Sequence, residues 1–489
     1  MATKLRKPIL VAGMAICLLL WLWDSLHEKI IAVGEWSIWG AIALGTIFWM
    51  LQKNSSNKLT PVILSPIKRE TVEEAIAQAQ NEIATLAVEA PQRDIASLKQ
   101  QLTQLPASFN RQTLQLAIAG SRGTGKTALK HVLESKKIAE NIEWVETAPF
   151  FTATEDNTPQ ETALASDLVL FLTTGDLTES ERQMLEQMKR FHQRIVLLFN
   201  KQDRYIPEEK EEILQQLRQR VREIILTEDV IAIAASPNFI KVKQHQEDGS
   251  VLERMETQPA QIDPLSDRLK QILSQKRDQL VLGATWREAM KLKEKAKAIL
   301  NEVRRDRAIP AIEQYQWIAA ATAFANPVAT LDLLATATVN AQMLVDLSAI
   351  YQQKFSLSQA QTTSGTIGKL MVQLGIVELS TQTIGSLLKS NALTYMAGGA
   401  VQGISAAYLT RLAGLSAIEY FQEQEIGMAS GDGLNLERLT QKLTQVFAAN
   451  QRTAFLQSFV KQAVVRFQTN PSSGGAIVLG TAIKPSHKF

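Results

Sequence analysis

Eight consecutive residues, Gly120-Ser121-Arg122-Gly123-Thr124-Gly125-Lys126-Thr127, have the types and spacing of a phosphate-binding loop, G-x-x-x-x-G-K-[ST]. Glycines let successive backbone N–H groups turn inward on phosphate oxygens. The lysine can reach the β and γ phosphates, and the threonine hydroxyl can ligate Mg²⁺. Nucleotide contacts are therefore expected from Gly120 through Thr127 and from Ala128 behind them, with Lys126 and Thr127 also in catalytic roles. Arg122 is a third catalytic candidate, placing positive charge on a transition state in cis, and its alternative is a solvent-facing arginine.

A second group, Asn200-Lys201-Gln202-Asp203, follows about seventy residues later, directly behind the apolar run 195–199. A carboxylate in the plane of a purine accepts hydrogen bonds from guanine N1–H and its exocyclic amine, whereas adenine N1 is an acceptor and leaves it unpaired. Asp203 thus favours GTP or GDP over ATP. The stem of Lys201 can cover the base, and Asn200 can tie this loop to the phosphate loop.

The elements that must position these groups are visible as apolar runs at 114–119, 142–145, 167–173, 194–199 and 230–234, separated by amphipathic charged stretches. That alternation predicts an α/β fold, a mostly parallel sheet with helices on both faces and ligands at the carboxyl ends of its strands. Asp167 begins its run and belongs at the opposite end. Asp176, Glu179 and Glu181 read as a helix start, where acids suit the dipole.

Over about 113–236 the chain resembles translation-factor-class GTPases of the Era-like kind, through Gly120–Thr127, Asn200–Asp203 and Ala234-Ala235-Ser236. The resemblance implies a P-loop GTPase-like fold, guanine contacts from Ala235 through its backbone N–H and from Ser236, and a Mg²⁺ cofactor. Ala234 departs from the family's serine. Where the family carries D-x-x-G this chain has Glu146-Thr147-Ala148-Pro149, and proline has no N–H to offer a γ phosphate. Glu146, binding through water, joins Thr127 as the expected metal pair. Only fourteen residues separate Thr127 from Ile142, little room for a first switch loop, and Thr152 or Thr154 is the substitute candidate. Gly123 stands where potassium-activated members carry asparagine.

Around this unit, residues 1–55 read as two transmembrane helices, with a signal peptide the rival reading of the first apolar run. Lys4, Arg6 and Lys7 precede them and Lys53, Lys58, Lys68 and Arg69 follow, which puts both ends and the nucleotide domain on the cytoplasmic side of a multi-pass membrane protein. Residues 65–110 read as an antiparallel helical pair, either a stalk or an extension packed on the nucleotide domain of 111–277. Asp248-Gly249 between two short alternating runs predicts a hairpin. A linker helix at 278–310 carries eight basic residues (Arg287, Lys291, Lys293, Lys295, Lys297, Arg304, Arg305, Arg307) against four acidic ones between 287 and 307, which suits an anionic membrane surface or a solvated face. An all-α domain over 311–469 includes the uncharged run 390–410, a membrane helix or a buried one, and 470–489 is an expected mobile tail. Asn326-Pro327, Asp332 and the run 343–351 resemble the C-terminal domain of YcjF-like bacterial membrane proteins over about 308–423, which implies a membrane-associated helical module with no assigned reaction.

The net charge of +3 gives no reason to expect nucleic acid, and the single cysteine, Cys17, excludes a disulfide framework or thiolate metal cluster. The reading that joins these observations is a membrane-anchored GTP-binding switch, a slow or atypical GTPase in contact with membrane lipids, with a homo-oligomer as a further expectation. A non-hydrolysing guanine-nucleotide scaffold and a nucleotide-gated pore or membrane-remodelling assembly are the alternatives left open.

Overall fold

The structure, a computed structural model, describes residues 66–151, 157–245, 251–325, 329–353, 355–390, 399–423, 435–450 and 453–469. The expected N-terminal hairpin, Thr152 and Thr154, the turn at Asp248-Gly249, Asn326-Pro327 and the tail from 470 lie outside these residues.

Five strands, β1 (Leu114–Gly120), β2 (Ile142–Glu146), β3 (Leu168–Thr173), β4 (Arg194–Phe199) and β5 (Val230–Ala232), form one wholly parallel sheet in the order β2-β1-β3-β4-β5. Strand alternation assigns the two faces. Leu116, Ile118, Leu170 and Leu198 pack against Leu129 and Leu133 of α3 (Lys126–Lys136) and Leu265 and Leu269 of α7 (Asp263–Gln275). Their neighbours Ala117, Ala119, Phe171 and Leu197 pack against α4 (Thr158–Ala165), α5 (Glu179–Arg190) and α6 (Pro207–Arg220). β6 (Ile240–His245) and β7 (Val251–Glu256) pair as an antiparallel hairpin before α7. The chain leaves β1 for β2 on one side and returns to β3 on the other, so a crevice opens at the carboxyl end of β1.

One helix organises the remainder. α8 (Arg277–Ala325) runs 49 residues with Pro310 in its interior, so 310, the expected end of the basic linker, falls within a continuous helix. α1 (Arg69–Glu89) lies beside it in parallel, since Gln78 meets Lys293 and Glu89 meets Arg304 at the same sequence offset. α2 (Ala96–Gln104) turns back so that Phe109 reaches the Arg69 guanidinium, 4.9 Å from its ring centroid. Ile83, Leu86, Leu98 and Leu105 bury their side chains against Ala289, Leu292, Ala296 and Leu300 of α8. The antiparallel pair is therefore packed along α8 and through it onto the sheet unit.

The basic residues of α8 do not face outward as a group. Arg287 donates to Leu164 O (2.8 Å), Ser166 O (2.8 Å) and His192 O (3.2 Å). Burial pulls its guanidinium down to about 10, with Asp167 opposing. Lys291 pairs with Glu161, Lys293 with Gln78, Arg304 and Arg307 with Glu89, and Arg305 with Glu419. Six of its eight cations therefore bond within the chain, Arg287, Lys293 and Arg304 at buried positions and Lys291, Arg305 and Arg307 at the surface. The buried bonds of Arg287, Lys293 and Arg304 are worth more than the exposed pairs of Lys291, Arg305 and Arg307.

Helices α9 (Ala329–Ile350), α10 (Leu357–Gln373), α11 (Ile376–Ser390), α12 (Gly399–Glu423), α13 (Leu436–Asn450) and α14 (Thr453–Thr469) complete the module. Residues 399–410 of the uncharged run belong to α12, which buries Ile404, Ala407, Tyr408, Leu412 and Ile418 in the helical core. A Cβ at Gly414 would stand 2.7 Å from Ile312, so the small residue lets α12 and α8 meet closely. Among the described residues no helix is long and apolar enough to cross a membrane.

Candidate nucleotide-binding site

β1 ends at Gly120 with φ +145°, and a Cβ there would lie 2.5 Å from Leu172 O. Only glycine can make this departure from the sheet. The loop re-enters a helix at Gly125, φ +95°, whose Cβ would stand 2.4 Å from Asn200 Nδ2. Lys126 opens α3 and is buried, its Nζ donating to Gly120 O (3.0 Å) and Ser121 O (3.1 Å). Desolvation lowers its pKa, and the Glu146 carboxylate opposes that shift.

The two expected metal ligands meet here. Thr127 Oγ1 donates to Glu146 Oε1 at 2.7 Å, joining the start of α3 to the end of β2. Gly123, Gly125, Lys126, Thr127 and Ala128 on one side and Glu146 through Pro149 on the other line a cleft of about 590 Å³, within the size range of small-molecule sites. Arg122 is exposed and is not among the lining residues. Asp167 lies at the other end of the sheet, buried, accepting from Gln115 N at 2.8 Å and from Arg111. Burial raises its pKa, with Arg111 the first opposing influence.

Asn200 is buried at the end of β4 and bonds in two directions, donating from Nδ2 to Thr124 O (2.8 Å) and accepting at Oδ1 from Ala235 N (3.0 Å). Lys201, with φ +64°, donates to Gly123 O at 2.7 Å. The loops after β1, β4 and β5 are thereby joined. The Ala235 N–H assigned to guanine by resemblance is instead engaged by Asn200, because the two loops close on one side-chain amide. Asp203 accepts at Oδ2 from Asn238 N (3.0 Å), while its Oδ1 is buried with no hydrogen-bond partner. A buried carboxylate oxygen left unpaired is costly, and with no exposed surface it meets an outside donor only if the Asp203 side chain turns.

Residues 287–452, from within α8 through α13, match the family model for a domain of unknown function, DUF697. No curated protein matches the chain. One similar solved structure is the LeoA bacterial dynamin GTPase from ETEC, 11% identical, covering 82% of this chain and 95% of that one at a TM-score of 0.23. Another comes from an oligomerised bacterial dynamin pair described as a mechanism for long-range sensing and tethering of membranes, 13% identical, covering 86% and 84% at a TM-score of 0.24. Scores this low do not establish a shared fold. The DUF697 match contains the stretch that resembles YcjF-like proteins and assigns it no reaction.

Three residues of the site escape sequence reasoning. Glu181 caps α5 in a reciprocal box with Thr178 and also accepts from Ser121 Oγ at 2.6 Å, coupling the phosphate loop to that helix. The signal was Thr178-x-x-Glu181, legible as a helix start but not as a loop contact. Thr147 lines the cleft with a buried, unpartnered Oγ1. Asn238 supplies the N–H that holds Asp203, and no motif marks it.

Proposed function

We propose that the chain binds a guanine nucleotide with Mg²⁺ at the carboxyl end of β1, turns GTP over slowly or atypically, and acts as a membrane-anchored switch. The observation that carries the base assignment is Asp203, the last residue of the Asn200–Asp203 pattern, positioned by Asn238 N beside loops that Asn200 fastens to the phosphate loop. Guanine offers two adjacent donors to such a carboxylate. Lys126, Thr127 and the loop amides supply the phosphate side, and Ser236 remains the candidate base contact in the last loop.

Thr127 and Glu146 fit Mg²⁺, since a hydroxyl and a carboxylate already converge there at 2.7 Å. Among the described residues no group of three or more His, Cys, Asp or Glu could hold a metal, so the ion would complete its shell with phosphate oxygens and water, its usual habit. When bound, Mg²⁺ neutralises charge on the phosphates. Arg122 would have to swing in from solvent to act in cis, which favours Lys126 as the cation on the phosphates.

Pro149 favours slow turnover, because that wall of the cleft lacks one N–H and offers the Thr147 hydroxyl instead. The same feature favours the second reading, a non-hydrolysing scaffold. Anchoring at the cytoplasmic face rests on the N-terminal apolar runs and their basic flanks. Coupling rests on α8, which bonds the sheet unit through Arg287 and Lys291 and the helical module through Arg305. A YcjF-like role for that module is part of the same proposal.

The test is competition of GTP and ATP for fluorescent GTP on the full chain in neutral detergent, with phosphate release followed in parallel. GTP is expected to win and Lys126→Ala to abolish binding. Equal competition by ATP, or binding that survives Lys126→Ala, overturns the reading, and tight GTP binding without release selects the scaffold.

A further inference from the structure

The helical module contains a second cleft, of about 630 Å³, between α8, α12 and α14. Arg411 enters it from α12 with its side chain 18% exposed. Its guanidinium carbon stands 5.7 Å from the Phe455 ring centroid, Nη1 lies 3.3 Å from Gln316 Oε1, and Nε is buried with no hydrogen-bond partner. Among the described residues Glu313 is the one carboxylate on the cleft's walls, 3.9 Å from Arg411 Nη1. Lys461 and Arg466 line the cleft from α14, and the Arg466 guanidinium sits 5.0 Å from the Trp317 ring centroid. Trp317 in turn stacks on Phe459, 5.9 Å apart with planes 9° from parallel.

Three cations and one carboxylate therefore share a cavity with three aromatic rings. Burial disfavours the Arg411 cation and Glu313 favours it, so a second anion in the cleft would stabilise the charge further. The arginines and Phe459 cover faces of Phe455 and Trp317, so the apolar surface left to the cleft is the ring edges and the exposed Val465. A ligand satisfying both halves has an anionic head and an apolar chain.

We propose that this cleft binds an anionic amphiphile, its phosphate or carboxylate head on Arg411, Lys461 and Arg466 and its chain along the edges of Trp317 and Phe455 and across Val465. The site lies apart from the nucleotide cleft, and the assignment does not rest on the reading of that cleft. It commits to a single lipid-like molecule bound by shape and charge, with a phospholipid and a free fatty acid as the two sources of that chemistry.

The experiment is calorimetric titration of the full chain in neutral detergent with dioctanoyl phosphatidylglycerol, dioctanoyl phosphatidylcholine, decanoate and glycerol phosphate. The double variant Lys461→Glu/Arg466→Glu changes two exposed side chains and spares the core, and its fold is checked by circular dichroism. The anionic lipid or decanoate is expected to bind while phosphatidylcholine and glycerol phosphate do not. Two cations near an anionic head contribute about thirtyfold in affinity, the loss expected in the double variant. Binding of phosphatidylglycerol alone identifies a phospholipid site, and binding of decanoate alone a fatty-acid site. Glycerol phosphate binding as well as the lipid reduces the cleft to a free-phosphate site. Equal binding of phosphatidylcholine makes it a plain apolar groove, and an unchanged affinity in the double variant places the lipid elsewhere. Each of these last three results overturns the proposal, as does concentration-dependent self-association that the double variant abolishes, since the cleft would then hold a second copy of the chain.

Discussion

Replacing Asn200 by alanine should cost more than any other single truncation at the nucleotide cleft. Its amide, 2% exposed, donates to Thr124 O at 2.8 Å and accepts from Ala235 N at 3.0 Å. Alanine leaves both backbone groups buried without these partners, at about 1–3 kcal/mol each, so roughly 2–6 kcal/mol in all. The loss is local to the loops after β1, β4 and β5, so global unfolding is the wrong readout. Hydrogen exchange resolved to peptides spanning 114–136 and 194–236 should accelerate by about thirtyfold or more, the equivalent of the lower bound. Asn200→Asp keeps the acceptor for Ala235 N but sets a buried carboxylate oxygen against Thr124 O, and should accelerate exchange at least as much as alanine. Exchange unchanged within a factor of about three, in either variant, refutes the claim that this side chain holds the three loops together.

Gly125→Ala forces a Cβ to 2.4 Å from Asn200 Nδ2 at φ +95°, whereas Gly123→Ala meets nothing within 4 Å at φ +79°. Nucleotide affinity should fall by at least about tenfold more in the former, and equal losses would sink the Asn200 contact as the reason. Glu89→Ala strands Arg304, whose side chain is 4% exposed, and should loosen α1 by about 3–5 kcal/mol in exchange experiments. Adding Arg304→Met should restore most of that, and failure to recover would mean the pair is not the cause. Glu82 is buried with an unpartnered Oε2, and desolvation raises its pKa against the opposing pull of Lys297, Arg304 and Lys293. Between the ordinary glutamate value and the raised one, the folded chain holds a proton that the unfolded chain has released, so this contribution to stability is full below that window and is lost as pH rises through it. The difference in stability between wild type and Glu82→Gln should show that slope, and a flat difference would contradict it.

The sheet and the phosphate loop were legible because their signals are local. Apolar runs set the strands, and glycines at 120, 123 and 125 adopt positive φ where the motif places them. Glu146 and Thr127 were paired by reasoning on the motif's register, and their side chains meet directly. What escaped depends on partners far apart in sequence. Glu181 reaches Ser121 across sixty residues, and Arg304 reaches Glu89 across 215. No periodicity carries such information, so the cations of α8 read as a membrane-facing or solvated run, with no sign of the acceptors that six of them find on α1, α4, α12 and at His192. The linker helix was likewise expected to end at 310, yet α8 continues past Pro310. Tertiary packing on both sides offsets the lost hydrogen bond there.

The central claim is that Asp203 reads guanine. Asparagine at that position keeps an acceptor for N1–H and replaces the acceptor for guanine's exocyclic amine with a donor, which suits xanthine. Equilibrium binding of GTP, XTP and ATP should be measured for the full chain with Asp203 and with Asp203→Asn. The account predicts that the variant loses GTP affinity by at least about a hundredfold and gains XTP, with ATP weak for both. Wild-type GTP affinity in Asp203→Asn, or ATP bound as tightly as GTP by the unaltered chain, would contradict it.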